Sequence, residues 1–257
     1  MLIDSHAHLD MPDFEKDREE VLERALRGGI SQIITIGIDL ASSLKALGLA
    51  NRYEFIFSTV GYHPHHADEA NFDRLKELGR LVSEPKVVAW GEIGLDYYRR
   101  YSRPHKQLEA FKQQLEMADH FDLPVIIHDR EAHKETFEIL QGLGNKRGRG
   151  VIHCFSGDYD LAMAFIKMGY YISIPGTVTY KKAHQVQQVA NRIPIEYMLL
   201  ETDAPFLAPV PVRGKRNEPF FVSYTAQKVA ELRNMDVKEI GRKTSENASR
   251  LFKLPNL

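Results

Sequence analysis

Residues 2–10 read Leu-Ile-Asp-Ser-His-Ala-His-Leu-Asp, and what stands at the end of this short run decides the fold. In a doubly wound open sheet the first strand normally feeds a glycine-rich turn that cradles phosphate. Here Leu2–Ile3 feeds Asp4, His6 and His8 instead. Further short apolar or β-branched runs recur at Gln32–Ile38, Ile56–Val60, Val87–Trp90, Val125–Ile127, Val151–Ile152, Tyr170–Ile174 and Met198–Leu200. With the first run they make eight strands, each too short to be a core helix. Helical periodicity fills most of the gaps. Phe14–Leu26 carries Val21, Leu22, Ala25 and Leu26 on one face and stops at Gly28-Gly29. Pro104 opens another helix, with Leu108, Phe111, Leu115 and Ala118 spaced at three and four, and Glu131–Leu140, Leu161–Met168 and Val222–Leu232 read more weakly the same way. Eight alternating units in 257 residues are the expectation for a single (β/α)8 barrel domain spanning 1–257.

Composition excludes several classes. Hydrophobic residues make up 43% and charged residues 27% of the chain, which argues against collagenous, disordered and membrane proteins. No stretch approaches the ~18 apolar residues of a membrane span, and no basic, apolar leader opens the chain. Lys and Arg number 34 against 35 Asp and Glu, so a polyanionic partner has to be held by local patches or by metal. The one cysteine, Cys154, excludes an internal disulfide framework and suits a reducing compartment. A cytoplasmic monomer is the expectation, and Cys154 itself reads as a small buried side chain turned away from the barrel rim.

The strand ends carry the chemistry. The first strand runs into His6 and His8, the third into Gly61-Tyr62-His63-Pro64 and the fourth into Glu92. The fifth ends at His128-Asp129, the sixth at His153 and the eighth at Glu201-Thr202-Asp203. In a parallel barrel these ends converge on one rim, where the active sites of this fold lie. Each feature alone has a bland explanation: alternate strand residues always share a face, and a lone histidine is usually a hydrogen-bonded structural group. Their conjunction points to metal, because charges are seldom left at the ends of apolar strands without partners. Six ligand types, His6, His8, Glu92, His128, His153 and Asp203, are too many for one catalytic ion and suit two divalent ions bridged by a carboxylate. The fourth-strand Glu92 is the natural bridge, with His6, His8 and Asp203 on one ion and His128 and His153 on the other. Such a centre performs hydrolysis. Asp203 can take the proton of the attacking water, and His63 either hydrogen-bonds the substrate or leaving group or is purely structural.

Two rim loops bear on the substrate. Residues 96–103 read Asp-Tyr-Tyr-Arg-Arg-Tyr-Ser-Arg, and residues 212–219 read Val-Arg-Gly-Lys-Arg-Asn-Glu-Pro. Basic residues interleaved with tyrosines can hold phosphates and stack on unpaired bases, although solvated loop charges look the same in a sequence. Tyr97, Arg99, Arg213, Lys215, Arg216 and Asn217 are therefore the substrate-binding expectation. The whole segment Ala204–Pro219 is irregular, a length that is often functional in a compact domain.

Asp4–Asp10, Gly61–Pro64, Gly91–Asp96, Pro124–His128, His153–Gly157, Leu199–Pro205 and Arg213–Pro219, in that order, resemble the TatD family of metal-dependent deoxyribonucleases, within the amidohydrolase-like superfamily. The resemblance covers essentially the whole chain. It implies a distorted TIM barrel, and that His6, His8, Glu92, His128, His153 and Asp203 are divalent-metal ligands with His63 an additional active-site histidine. It further implies magnesium-dependent 3′-to-5′ exonuclease action on single-stranded DNA, with links to DNA repair. Glu131 stands where the family more often has Asp, a departure that touches no ligand. Ligand softness favours Zn, Mn, Ni or Co over Mg at so histidine-rich a site. Hydrolysis of cyclic amide C–N bonds or of aminoacyl-tRNA esters uses the same residues. The amide reading is disfavoured because Glu92 stands where such enzymes often carry a carboxylated lysine, and a non-catalytic metal or nucleic-acid binder has no need of an open, mixed His and carboxylate set.

Overall fold

The computed structural model describes residues 1–143 and 149–255. Eight strands form one sheet in sequence order, every neighbouring pair parallel: β1 (Leu2–Ala7), β2 (Ile30–Thr35), β3 (Ile56–Val60), β4 (Val87–Asp96), β5 (Val125–Arg130), β6 (Gly150–Ile152), β7 (Tyr171–Ile174) and β8 (Met198–Leu200). Between them run α1 (Arg18–Arg27), α2 (Leu40–Arg52), α3 (Phe72–Leu81), α4 (Pro104–His120), α5 (His133–Gly142), α6 (Tyr159–Lys167) and α7 (His184–Arg192), and α8 (Val222–Arg233) and α9 (Val237–Phe252) follow β8. The sheet curls into a nearly closed barrel. β1 and β8 meet past the end of β8, where Ala7 bridges Ala204 in parallel, Asp203 N donates to His6 O at 2.9 Å and His8 N donates to Ala204 O at 2.7 Å. The seam is thus made by the residues that bracket Asp203.

One apolar cluster takes a residue from every strand: Ile3, Ile34, Phe57, Ala89, Ile126, Val151, Tyr171 and Leu199. Residues shared in this way by all strands of a parallel barrel fill its interior. Ala248, Leu251, Phe252 and Leu254 join the same cluster, so the end of α9 plugs the floor. Asn247 fastens that plug by donating to Ile195 O at 2.7 Å and Met198 O at 2.9 Å. Among the described residues no helix is long and apolar enough to cross a membrane.

Two strands run further than their apolar runs indicate. β4 continues through Asp96 and β5 through Arg130, so Glu92 and His128 stand within strands rather than past their ends. The glycines that interrupt the apolar pattern of β4 are what let it continue. At Gly94 φ is +140°, and a Cβ there would lie 2.0 Å from His128 O on the next strand. The register also shifts along β1, between β3 and β4, and between Trp90 and Ile93, the irregularities that re-aim side chains next to active sites. Gly94→Ala is expected to cost about 3 kcal/mol or more by combining backbone strain with a collision. At this chain length that lowers the melting midpoint by roughly 6–12 °C. A variant that melts within 2 °C of its parent by calorimetry would show that β4 and β5 are not locked there.

Candidate metal centre

The six candidate ligands gather at the open end of the barrel. His6 lies on β1 and His8 just beyond it, Glu92 on β4 and His128 on β5, while His153 follows β6 and Asp203 follows β8. His6 Nε2 is 3.3 Å from His8 Nε2, 3.3 Å from Glu92 Oε2 and 3.8 Å from Asp203 Oδ1. His8 Nε2 is 3.4 Å from Asp203 Oδ1 and 3.8 Å from Glu92 Oε2. These five separations among four donor atoms are close to the edges of a tetrahedron, which for ~2.1 Å metal–ligand bonds are roughly 3.4 Å long. The other oxygen of Glu92 faces a different set. Oε1 lies 2.6 Å from His128 Nδ1, 3.0 Å from His153 Nε2 and 3.4 Å from His63 Nε2. The shortest of these, His128 to Glu92, is a hydrogen bond, and an ion entering there would replace the shared proton.

His6 and His8 each meet the cluster through Nε2, and a neutral imidazole with its proton on Nδ1 leaves that nitrogen free to bind an ion. The donor set is all imidazole nitrogen and carboxylate oxygen, a mixture that suits zinc, manganese, nickel or cobalt better than magnesium.

Burial and charge set the protonation states together. Burial alone would raise the pKa of Glu92, but the charges of His153, His63 and His6 hold it well below the usual carboxylate range. Asp203 is likewise lowered, burial being outweighed by the hydrogen bond to His8 and the neighbouring histidines. Burial opposes protonation of His153 and His128, yet Glu92, with Glu201 beside one and Asp96 beside the other, raises both. His6 moves the opposite way, lowered by burial and by His153. His63 is pushed down to about 3, chiefly by burial. Its Nδ1 accepts from His65 N at 3.0 Å, so the neutral ring carries its proton on Nε2. His63 therefore offers a hydrogen-bond donor to the centre.

Other acids hold the candidate ligands in place. Asp96 Oδ2 holds His128 Nε2 at 3.1 Å and His65 Nε2 at 2.8 Å, while Glu201 Oε1 holds His153 Nδ1 at 3.2 Å. Such partners fix ring orientation and tautomer at metal sites. Asp4 secures the barrel seam, receiving Thr202 Oγ1 at 2.6 Å and Thr202 N at 2.9 Å. Burial raises its pKa to about 8.

Two clefts open onto the centre. The larger, about 510 Å³, is lined by His65, Arg99, Tyr101, Arg130 and Phe206 among others. The smaller, about 360 Å³, lies toward the loops after β6 and β7 and includes Cys154, Ser156, Thr177 and Lys182. His128, His153, Asp203, Arg130 and Leu207 line both. Cys154 thus faces the mouth instead of turning away from it. The chain leaves β6 at Ile152 and Cys154 takes φ 45°, which ends the alternation on which the opposite expectation rested.

Only part of the expected anion-binding set faces these clefts. Arg99 lines the larger one. Arg213 sits over the Tyr180 ring at 4.3 Å on the exposed loop, and Lys215 is exposed beside it. Tyr97 turns toward α5 and donates to Glu135. Arg216 grips Asp17 through two 2.7 Å bonds, pairs with Glu218 and covers the Phe14 ring. Asn217 is fully buried and donates to Thr202 O at 2.8 Å and Phe206 O at 2.6 Å. Arg216 and Asn217 shape the loop behind Asp203 rather than reach the mouth. Cleft residues outside the expected set include Arg130, His65, Phe206 and Leu207, and Tyr101 of the 96–103 loop. Arg130 follows His128 by two residues along β5, which was the available signal.

The TatD-related DNase family model matches residues 3–253. The uncharacterized metal-dependent hydrolase YabD of Bacillus subtilis strain 168 is 41% identical over 254 residues, covering 99% of this chain and all of the relative. The 3′-5′ ssDNA/RNA exonuclease TatD of Erwinia tasmaniensis is 38% identical over 259 residues, 98% of this chain and all of that one. Among solved structures, the TatD homologue YJJV of Escherichia coli K12 superposes with a TM-score of 0.93 at 33% identity, covering 99% of this chain and 98% of its own.

Proposed function

The chain belongs to the TatD-related DNase family and is a metal-dependent hydrolase of phosphodiester bonds, and we propose that it removes nucleotides from the 3′ end of single-stranded DNA or RNA with two divalent ions. The observation that carries this reading is Glu92, whose two oxygens each face a separate donor set at the floor of the mouth. His6, His8 and Asp203 would complete one site, and His128 and His153 the other. Divalent ions there would make a water more acidic and draw charge from the phosphate. The protein supplies the rest. Asp203, kept ionised and opening onto both clefts, accepts the proton of the attacking water. His63, held neutral with its proton on Nε2, donates a hydrogen bond to the leaving oxygen and keeps its proton. Arg99 and Arg130, which line the larger cleft and lie over the Tyr98 ring at 5.3 and 4.2 Å, would hold non-bridging phosphate oxygens.

Metal-stripped protein reloaded with Mg, Mn, Zn or nothing, and offered 3′- and 5′-labelled single-stranded DNA and RNA, tests this directly. The expected result is laddering from the 3′ end that needs metal and disappears with chelator. Cleavage of a cyclic amide or an aminoacyl ester in place of nucleic acid would transfer the same residues to those substrates.

A further inference from the structure

Phe206 and Leu207 are large apolar side chains left 48% and 39% exposed in a mouth that they share with the histidines and carboxylates of the candidate centre. Single exposed apolar residues need no explanation; these two differ in how firmly they are presented. Phe206 N donates to Asp203 O at 2.8 Å, and Phe206 O accepts from the buried Asn217 at 2.6 Å. Tyr180 Oη anchors Ala208 O at 2.9 Å, and Val210 N donates to Thr179 Oγ1 at 2.9 Å. Leu207 adopts φ 53°, a left-handed conformation unfavourable for a branched residue, and it is the apolar group common to both clefts. The Phe206 ring meets the His8 ring edge-on at 6.0 Å, beside the metal ligands.

A rigid loop that holds an aromatic face and an aliphatic wedge in water, next to Arg99 and Arg130, fits a flat apolar group joined to an anion. Resting on the nuclease reading, we propose that Phe206 stacks on the penultimate base of the strand in the larger cleft and that Leu207 parts it from the terminal base. The terminal nucleotide then occupies the smaller cleft, with the phosphate between them over Glu92. Bases on either side of a wedge cannot remain stacked, so a base-paired end has to open before it can be cut. Single-strand preference resides in Leu207, and grip on the strand in Phe206.

The test compares Phe206→Ala and Leu207→Asn with the parent, asparagine being chosen because it tolerates the left-handed backbone. Substrates are single-stranded DNA, the same strand in a blunt duplex, and bis(4-nitrophenyl) phosphate, which has no bases. For Phe206→Ala, KM for single-stranded DNA is expected to rise about 10-fold or more, with a much smaller loss on the model diester. For Leu207→Asn, placed in an Asp203→Asn background so that the strand survives, 2-aminopurine at the penultimate position should lose the fluorescence rise that binding causes with Leu207 present. Unchanged KM and fluorescence would overturn the wedge and leave the nuclease standing. Equal losses on DNA and diester would also overturn it, by showing that the loop serves only to hold Asp203. If the parent enzyme cuts no nucleic acid, the nuclease reading itself falls and the wedge with it.

Discussion

Replacing Glu92 with glutamine will cut turnover at least ~100-fold and leave each chain with half its metal or less, while the barrel stays folded. The argument is electrostatic. Glu92 is buried, its two oxygens lie within 3.8 Å of His6, His8, His128, His153 and His63, and it is held well below the usual carboxylate range. Glutamine keeps the shape but presents only one acceptor oxygen, and its amide nitrogen is no ligand. One of the two donor sets loses its shared member, and the charge that pulls cations into the mouth disappears. Charge stabilisation of this kind is worth several kcal/mol at the transition state, and each ~1.4 kcal/mol is a factor of ten in rate. Elemental analysis of metal content beside kcat on single-stranded DNA checks both halves. A folded Glu92→Gln protein with full metal content and near-parental turnover would end the bridging assignment.

The barrel was legible because each strand is a short apolar run, six of the eight with polar residues at one end, and that pattern survives without knowing a single contact. The same pattern located His6, His8, His128, His153 and Asp203 on one rim. It placed Glu92 past the end of its strand, because Gly91 and Gly94 break the apolar run, whereas those glycines let two strands approach too closely for any side chain. Partners distant in sequence were not legible. Arg216 is a basic residue in a basic loop, and nothing local reveals that Asp17, 199 positions earlier, has already claimed it. Asp96 and Glu201 are acids near strand ends like the ligands themselves, and only the placement of His128 and His153 shows that they stand behind the site rather than in it. Phe206 and Leu207 vanished into an irregular stretch, since exposure and rigidity are properties of the folded loop.

Asp203→Asn is the second large effect, and it separates chemistry from binding. Asp203 sits at φ 58°, a conformation asparagine adopts as readily as aspartate, so the turn that closes the barrel should persist. Its side chain retains 13% exposure against 1–5% for His6, His8 and Glu92, making it the most accessible member of its donor set. The asparagine oxygen can still receive a hydrogen bond from His8, and it can still serve as a neutral donor to an ion. What it cannot do is accept a proton. Loss of a positioned base typically costs 10²–10⁴-fold, so kcat on single-stranded DNA is expected to fall within that range while KM stays within about threefold, the pattern of an interaction made only in the transition state. Metal analysis of the same sample distinguishes this from ligand loss: retained metal with lost kcat assigns the proton to Asp203. If the variant keeps more than about a tenth of parental kcat, the proton goes elsewhere. The neutral His63 would then be the next group to replace, because its ring stands 3.4 Å from Glu92 and switching its proton to the other nitrogen would turn a donor into an acceptor.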